Sequence, residues 1–276
     1  MEYTDIGANL CSKPFAPDLD AVISRARDCG VRVILVTGSN VRESHAAARL
    51  AHDYPGALYS TAGVHPHHAE AVAPGWEQEL QSLFADGVVR AAGETGLDFN
   101  RNYAPREAQI QVFEAQLQLA AASNLPLFMH ERDAGKTFRS ILAPWRNRIA
   151  GGVVHCFTGS EVDLRAYLDL DLYIGITGWI CDERRGQTLQ RLAAQIPDDR
   201  LLVETDAPYL LPRTITPRPR SRRNEPAFLP HVVAALANWR NQSTAHIALI
   251  THRNAARLFR LNAADSAPPE HSPNDT

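Results

Sequence analysis

The feature that most constrains this chain is a rhythm. Short apolar, strand-like blocks alternate eight times with longer amphipathic stretches. The blocks fall at residues 5–6, 33–36, 58–64, 88–93, 127–129, 153–154, 172–176 and 201–203. A continuous run such as Val33-Ile34-Leu35-Val36 suits a strand buried on both faces. The stretches between them predict helices over 18–29, 42–54, 76–85, 105–124, 134–148, 161–170 and 184–195, with two more closing the chain at 229–241 and 245–261. In the clearest helix, Pro105 suits the first helical position, and Ile110, Phe113, Leu117 and Ala120 share one face. Eight β-then-α units in 276 residues predict a (β/α)8 TIM barrel, one domain over residues 1–262. An open doubly wound sheet would usually carry a glycine-rich phosphate turn, and neither GxGxxG nor GxxxxGK[ST] occurs. The tail 263–276, rich in Pro, Ser, Asp and Asn, is expected to be disordered.

Polar residues punctuate the blocks in a consistent way. Strand three runs into Gly63-Val64-His65-Pro66-His67, strand four into Glu94-Thr95-Gly96-Leu97-Asp98, and strand five into His130-Glu131-Arg132-Asp133. Strand six runs into His155-Cys156, strand eight into Glu204-Thr205-Asp206, and strand one carries Asp5, Gly7 and Asn9. In a parallel barrel all C-terminal strand ends meet on one rim. Charges there are costly to bury unless paired or bound to a cation. Glu94, His130, His155 and Asp206 therefore predict a divalent-metal site. His65 and His67 are candidates for the same site or for holding a loop. Asp98 and Asp133 fit capping as well as chemistry. His45, His52, His68, His246, His252 and His271 receive no role.

A second signal is the segment 212–223, which carries Arg213, Arg218, Arg220, Arg222 and Arg223 without an acidic residue. It follows strand eight and should overhang the same rim, where guanidinium groups suit phosphate oxygens. Trp179, after strand seven, suits base stacking or rim packing equally. The net charge of −3 excludes a globally basic nucleic-acid wrapper but not such a local patch. No secretory signal and no bilayer-spanning run is visible, and four scattered cysteines fit reduced thiols. A cytoplasmic protein without membrane contact is expected. No exposed apolar stripe demands a partner, so the expected state is a monomer.

Taken with the order of the motifs, Gly63-Val64-His65-Pro66-His67, Gly93-Glu94-Thr95-Gly96-Leu97-Asp98-Phe99, Met129-His130-Glu131-Arg132-Asp133-Ala134, His155-Cys156-Phe157-Thr158-Gly159, Glu204-Thr205-Asp206-Ala207-Pro208 and Arg222-Arg223-Asn224-Glu225-Pro226 resemble the TatD family of metal-dependent deoxyribonucleases. The resemblance spans residues 5–259. It implies a TIM barrel of the metallo-hydrolase type and a 3′→5′ exonuclease on single-stranded DNA or RNA, serving DNA repair or degradation, with magnesium as cofactor. By position, Glu94, His130 and His155 would be metal ligands and Asp206 a ligand or proton carrier. The chain departs from most members at strand one, with Gly7 and Asn9 in place of His-x-His. Fewer imidazoles and more oxygen donors favour Mg2+ or Mn2+ over zinc, as one ion or two.

These residues suggest a division of labour. Asp206 would take the proton of an attacking water, and His65 or His67 would donate to the phosphate or leaving group. Arg213, Arg222 and Arg223 would hold substrate phosphates. A D-aminoacyl-tRNA deacylase or another metallo-hydrolase on the same barrel is the alternative. The carbamylated-lysine design of many such barrels is excluded, because Lys13 and Lys136 are the only lysines and neither sits at a predicted strand end. A barrel decayed to a scaffold would not be expected to keep every other rim ligand.

Overall fold

The computed structural model describes residues 1–261. Eight strands lie in sequence order in one sheet, each parallel to the next. They are β1 (Tyr3–Ala8), β2 (Val31–Val36), β3 (Leu58–Ala62), β4 (Val89–Asp98), β5 (Leu127–Arg132), β6 (Gly152–Val154), β7 (Tyr173–Ile176) and β8 (Leu201–Val203). The helices are α1 (Leu19–Asp28), α2 (Val41–Asp53), α3 (Trp76–Phe84), α4 (Arg106–Ser123), α5 (Gly135–Leu142), α6 (Glu161–Asp169), α7 (Gln187–Leu192), α8 (Leu229–Arg240) and α9 (Thr244–Phe259). The expected barrel is thus present. The tail 263–276 lies outside the described residues.

The seam between β8 and β1 is narrow. It is joined by the bridge Ala8–Ala207, by the Asp206 amide donating to Gly7 O and by the Asn9 amide donating to Ala207 O. Asp5 reinforces it. Its carboxylate, with no exposed surface, accepts from the Thr205 amide at 2.9 Å and the Thr205 hydroxyl at 2.5 Å. Asp5 is therefore a seam staple on the outer side of the wall, not a rim ligand.

Two apolar cores follow from strand alternation. One fills the lumen with Ile6, Val33, Leu35, Tyr59, Phe128, Val153 and Leu202, and the end of α9 supplies Leu258 and Phe259 to it. The other lies between barrel and helices, where Ile34, Val36, Met129, Val154 and Val203 face outward. Counting upward in twos from the lumen residues gives His130 from Phe128, His155 from Val153, and Glu204 and Asp206 from Leu202. Three of the side chains that sequence reasoning singled out, His130, His155 and Asp206, are thus lumen positions above the apolar plug.

Several expected boundaries move. β4 and β5 do not stop at Gly93 and Met129. Their ladder continues through Thr95–Met129, Gly96–His130, Leu97–Glu131 and Asp98–Arg132. Glu94 and His130 lie inside strands, and the apolar run ends because the lumen turns polar. At Gly96, with φ +134°, a Cβ would stand 1.9 Å from His130 O, so only glycine allows the two strands this approach. Pro105 precedes α4 rather than opening it, because the residue before the helix is extended and Pro105 O accepts from Gln109. The helix expected over 134–148 becomes α5 and a 3-10 turn, Ala143–Arg148, with Pro144 as its second residue. The helix expected from 184 starts only at Gln187, because Asp182 holds the preceding turn by accepting from the Arg184 and Arg185 amides.

Candidate active site

Three imidazoles converge on one oxygen at the barrel mouth. His155 Nε2 lies 2.7 Å from Glu94 Oε1, and His65 Nε2 and His130 Nδ1 each lie 3.4 Å from it. The ligand atoms offered by His65, Glu94 and His130 all lie within 4.8 Å of one another, a grouping that fits one cation. Of the four residues expected at the metal, Glu94 and His130 are in this group. His155 approaches Glu94 but falls outside the group, as does Asp206, and His65, a candidate for this site as well as for donation to the phosphate, joins it.

The electrostatics of the cluster are those of a site built for positive charge. Burial opposes ionisation of Glu94, but His65, His155 and His130 outweigh it and hold its carboxyl well below the usual range. Burial pushes the His65 imidazole well below its ordinary value, leaving a neutral ring. For His130 burial acts the same way, but Asp98 and Glu94 prevail and raise it. Glu204 and Glu94 do this for His155. Protons on His130 and His155 thus sit where cationic charge is wanted.

A ring of supporting groups fixes these side chains. Asp98, on the last residue of β4, faces His67 Nε2 at 2.7 Å and His130 Nε2 at 3.3 Å, and it accepts from the Asn100 and Arg101 amides. It therefore both caps a turn and orients two imidazoles. His65 opens a 3-10 turn, Pro66–Ala71, where its Nδ1 accepts from the His67 amide at 3.0 Å, aiming Nε2 at Glu94. Asp133 bonds Asn100 Nδ2 at 2.6 Å and stays in the loop.

Glu204 was not singled out as a site residue, although its alternation with Leu202 places it in the lumen. It has no exposed surface, accepts from the Cys156 amide at 2.6 Å, and stands 3.3 Å from His155 Nδ1. Such a carboxylate behind an imidazole sets the ring's orientation. The carboxylate is nested over two glycines. A Cβ at Gly7 would lie 2.5 Å from Glu204 Oε2, and one at Gly175 would lie 3.0 Å from Oε1. The strand-one position that lacks a histidine is thus occupied by Glu204. Asn9 donates its Nδ2 to Asp206 Oδ1 at 3.1 Å. Burial, Glu204 and Glu94 push the Asp206 carboxyl up to about 8, against His155 and Asn9.

The arginine segment divides. Arg223 does not reach out for phosphate. Its guanidinium donates to Asp18 at 2.7 and 2.8 Å, to Glu225 at 2.7 Å and to Pro14 O at 2.6 Å, and it lies over the Phe15 ring. It ties the segment to α1, a contact across more than two hundred residues that no local pattern announces. Arg213 pairs with Asp182 at 3.1 Å, and Arg222 is exposed. Both line one cavity with Trp179. The histidines given no role and present among the described residues have outside partners: His45 with Glu79, His52 with Asp86, His246 with Asp198, and His252 with Thr4, while His68 packs on His65. His271 lies outside the described residues.

Comparison with known proteins agrees with the geometry. The profile of the TatD related DNase family matches residues 4–260. A protein of Pantoea sp. (strain At-9b) named 3′-5′ ssDNA/RNA exonuclease TatD is 52% identical over 257 residues, covering 93% of this chain and 99% of its own. One of the same name from Yersinia pseudotuberculosis is also 52% identical, with the same coverage. Among solved structures, a TatD homologue from Escherichia coli superposes with a TM-score of 0.85 at 29% identity, over 94% of this chain and 98% of that one. No helix among the described residues is long and apolar enough to cross a membrane.

Proposed function

The chain belongs to the TatD related DNase family and is a nuclease-type hydrolase, and from that premise we propose that it is a divalent-metal-dependent 3′→5′ exonuclease acting on single-stranded DNA or RNA. The observation that carries this reading is the convergence of His65, His130 and His155 on Glu94 beneath an arginine-bearing rim. His65, Glu94 and His130 would hold the cation, with His155 flanking. When bound there, a divalent ion lowers the pKa of water and polarises a phosphodiester oxygen. Oxygen donors nearby, from Glu94 and Asp206 and from the substrate phosphate itself, favour Mg2+ or Mn2+.

The chain's own residues supply the rest. Asp206, whose carboxyl is pushed up to about 8 and is therefore ionised toward alkaline pH, accepts the proton of the attacking water. Asn9 holds that carboxylate in place. Proton or hydrogen-bond donation to the leaving group falls to His67, which Asp98 orients, because His65 is engaged by Glu94 and kept neutral. Arg222 meets the strand's phosphates. Four free thiols support a reducing, cytoplasmic setting. Exposed Val162, Trp239 and Leu249 are spread over three helices, which supports a monomer.

End-labelled substrates test the reading. With Mg2+ or Mn2+, 5′-labelled single strands should shorten progressively from the 3′ end, whereas D-aminoacyl-tRNA should keep its ester. Glu94→Ala should abolish cleavage while circular dichroism stays native. Full turnover by that variant, or shortening from the 5′ end, overturns the proposal.

A further inference from the structure

The loops that follow β7 and β8 enclose a cavity of 390 Å³ on the rim side of the barrel. Its lining combines Trp179 and Arg185 from the first loop with Arg213, Arg218 and Arg222 from the second. The Arg185 guanidinium lies 4.6 Å from the centre of the Trp179 ring, forming a flat cationic stack. One carboxylate faces these four arginines. Asp182, almost fully buried, accepts from Arg185 Nε at 3.2 Å and meets Arg213 Nε at 3.1 Å. It spends a single edge of each guanidinium and leaves the paired terminal nitrogens of both for another anion. Among the described residues, Arg218 and Arg222 have no carboxylate partner. The cavity is therefore positively charged, walled on one side by an aromatic face, and sized for one small organic ligand rather than a length of strand.

We infer that this cavity is a mononucleotide subsite: it takes one nucleotide of the substrate strand, base against the Trp179–Arg185 stack and phosphate on Arg213, Arg218 and Arg222. The chemistry matches on both counts. Every base offers a π-face to an aromatic or guanidinium plane, so stacking gives affinity without sequence preference. Guanidinium pairs meet phosphate oxygens bidentately. Both loops leave the C-terminal ends of their strands, the same rim that carries the imidazole cluster. A bound nucleotide there would place its neighbouring phosphodiester toward the barrel mouth. As to the substrate, the inference rests on the nucleic-acid reading above and adds the unit that is gripped and the groups that grip it.

A binding experiment without hydrolysis separates the two readings. The full chain in excess EDTA is titrated with deoxyadenosine 5′-monophosphate, deoxyadenosine and inorganic phosphate, followed by calorimetry. The monophosphate should bind more tightly than either part alone. Trp179→Ala should weaken it about 5- to 100-fold, and Trp179→Phe, which keeps a ring, much less. Arg218→Ala and Arg222→Ala should each flatten the salt dependence of single-strand binding by about one unit of log–log slope. Equal affinity for the monophosphate and inorganic phosphate, or no loss in a folded Trp179→Ala variant, would overturn the subsite. Monophosphate binding by a chain that cleaves no phosphodiester with Mg2+ or Mn2+ would sink the exonuclease reading and leave the subsite standing.

Discussion

Adding a single methyl group at Gly7 should unseat the buried carboxylate that holds His155. The Gly7 backbone is ordinary, so alanine meets no conformational strain, and the effect is one of space alone. The new Cβ would stand 2.5 Å from Glu204 Oε2 and 2.9 Å from Phe128 Cζ. Phe128 packs in the lumen core and stacks on His155 with centroids 4.4 Å apart, so it has nowhere to go. Glu204 must therefore move by several tenths of an ångström or more. It then gives up its 2.6 Å bond from the Cys156 amide and its contact with His155 Nδ1. A buried charge deprived of partners destabilises by about 3–5 kcal/mol, more than the burial of one methyl can offset. Urea denaturation of the chelated protein should show the unfolding free energy falling by that amount through a lower midpoint, with m unchanged. Cation affinity, read by calorimetry, should also fall, because a displaced His155 no longer holds Glu94 in place. The decisive control is a double-mutant cycle with Glu204→Ala. Once the carboxylate is gone, only the contact with Phe128 remains, and Gly7→Ala should cost less by a coupling of at least about 2 kcal/mol. Additive losses, or a Gly7→Ala loss below about 1 kcal/mol, would refute the nested-carboxylate account.

Other consequences are equally direct. Burial pushes the Asp5 carboxyl from its ordinary 3.8 up to about 7, against the bonds from Thr205 and Gly7. Between those values the folded chain holds a proton that the unfolded chain has lost. This contribution is full below pH 4 and is lost as pH rises through 7, at up to about 1.4 kcal/mol per pH unit. Asp5→Asn should remove that slope from the stability curve, and an unchanged slope would exclude Asp5 as its source. Loading the site should displace protons from His130 and His155, so cation affinity should rise from pH 6 to 8 and the calorimetric enthalpy should change with buffer ionisation heat. A buffer-independent enthalpy would contradict that exchange. Arg223→Ala should lower stability by about 1–3 kcal/mol through Asp18 and Glu225, yet leave the salt slope of strand binding unchanged, unlike Arg222→Ala. A reduced salt slope in Arg223→Ala would restore it to the phosphate-binding set.

Much of the barrel was already present in the order of residues. Eight apolar blocks separated by amphipathic stretches leave few ways to pair parallel strands, because each block must be covered on both faces and each crossover must lead to a neighbour. Alternation then fixes which side chains enter the lumen, so the polar residues two steps beyond Phe128, Val153 and Leu202 had to meet at one mouth. That is periodicity, a local property. What the tertiary structure alone decided is how those groups share one another. His65 stands beside Glu94 and His130 while His155 leans back on Glu204, because the glycines at 7 and 175 leave room for a carboxylate behind that ring. Adjacent Arg222 and Arg223 are chemically identical, yet one lines a cavity and the other is bound to Asp18, just before α1. Neither distinction is carried by spacing along the chain. Each depends on which partner a side chain finds across the fold, and burial makes that choice decisive by penalising every charge left without one.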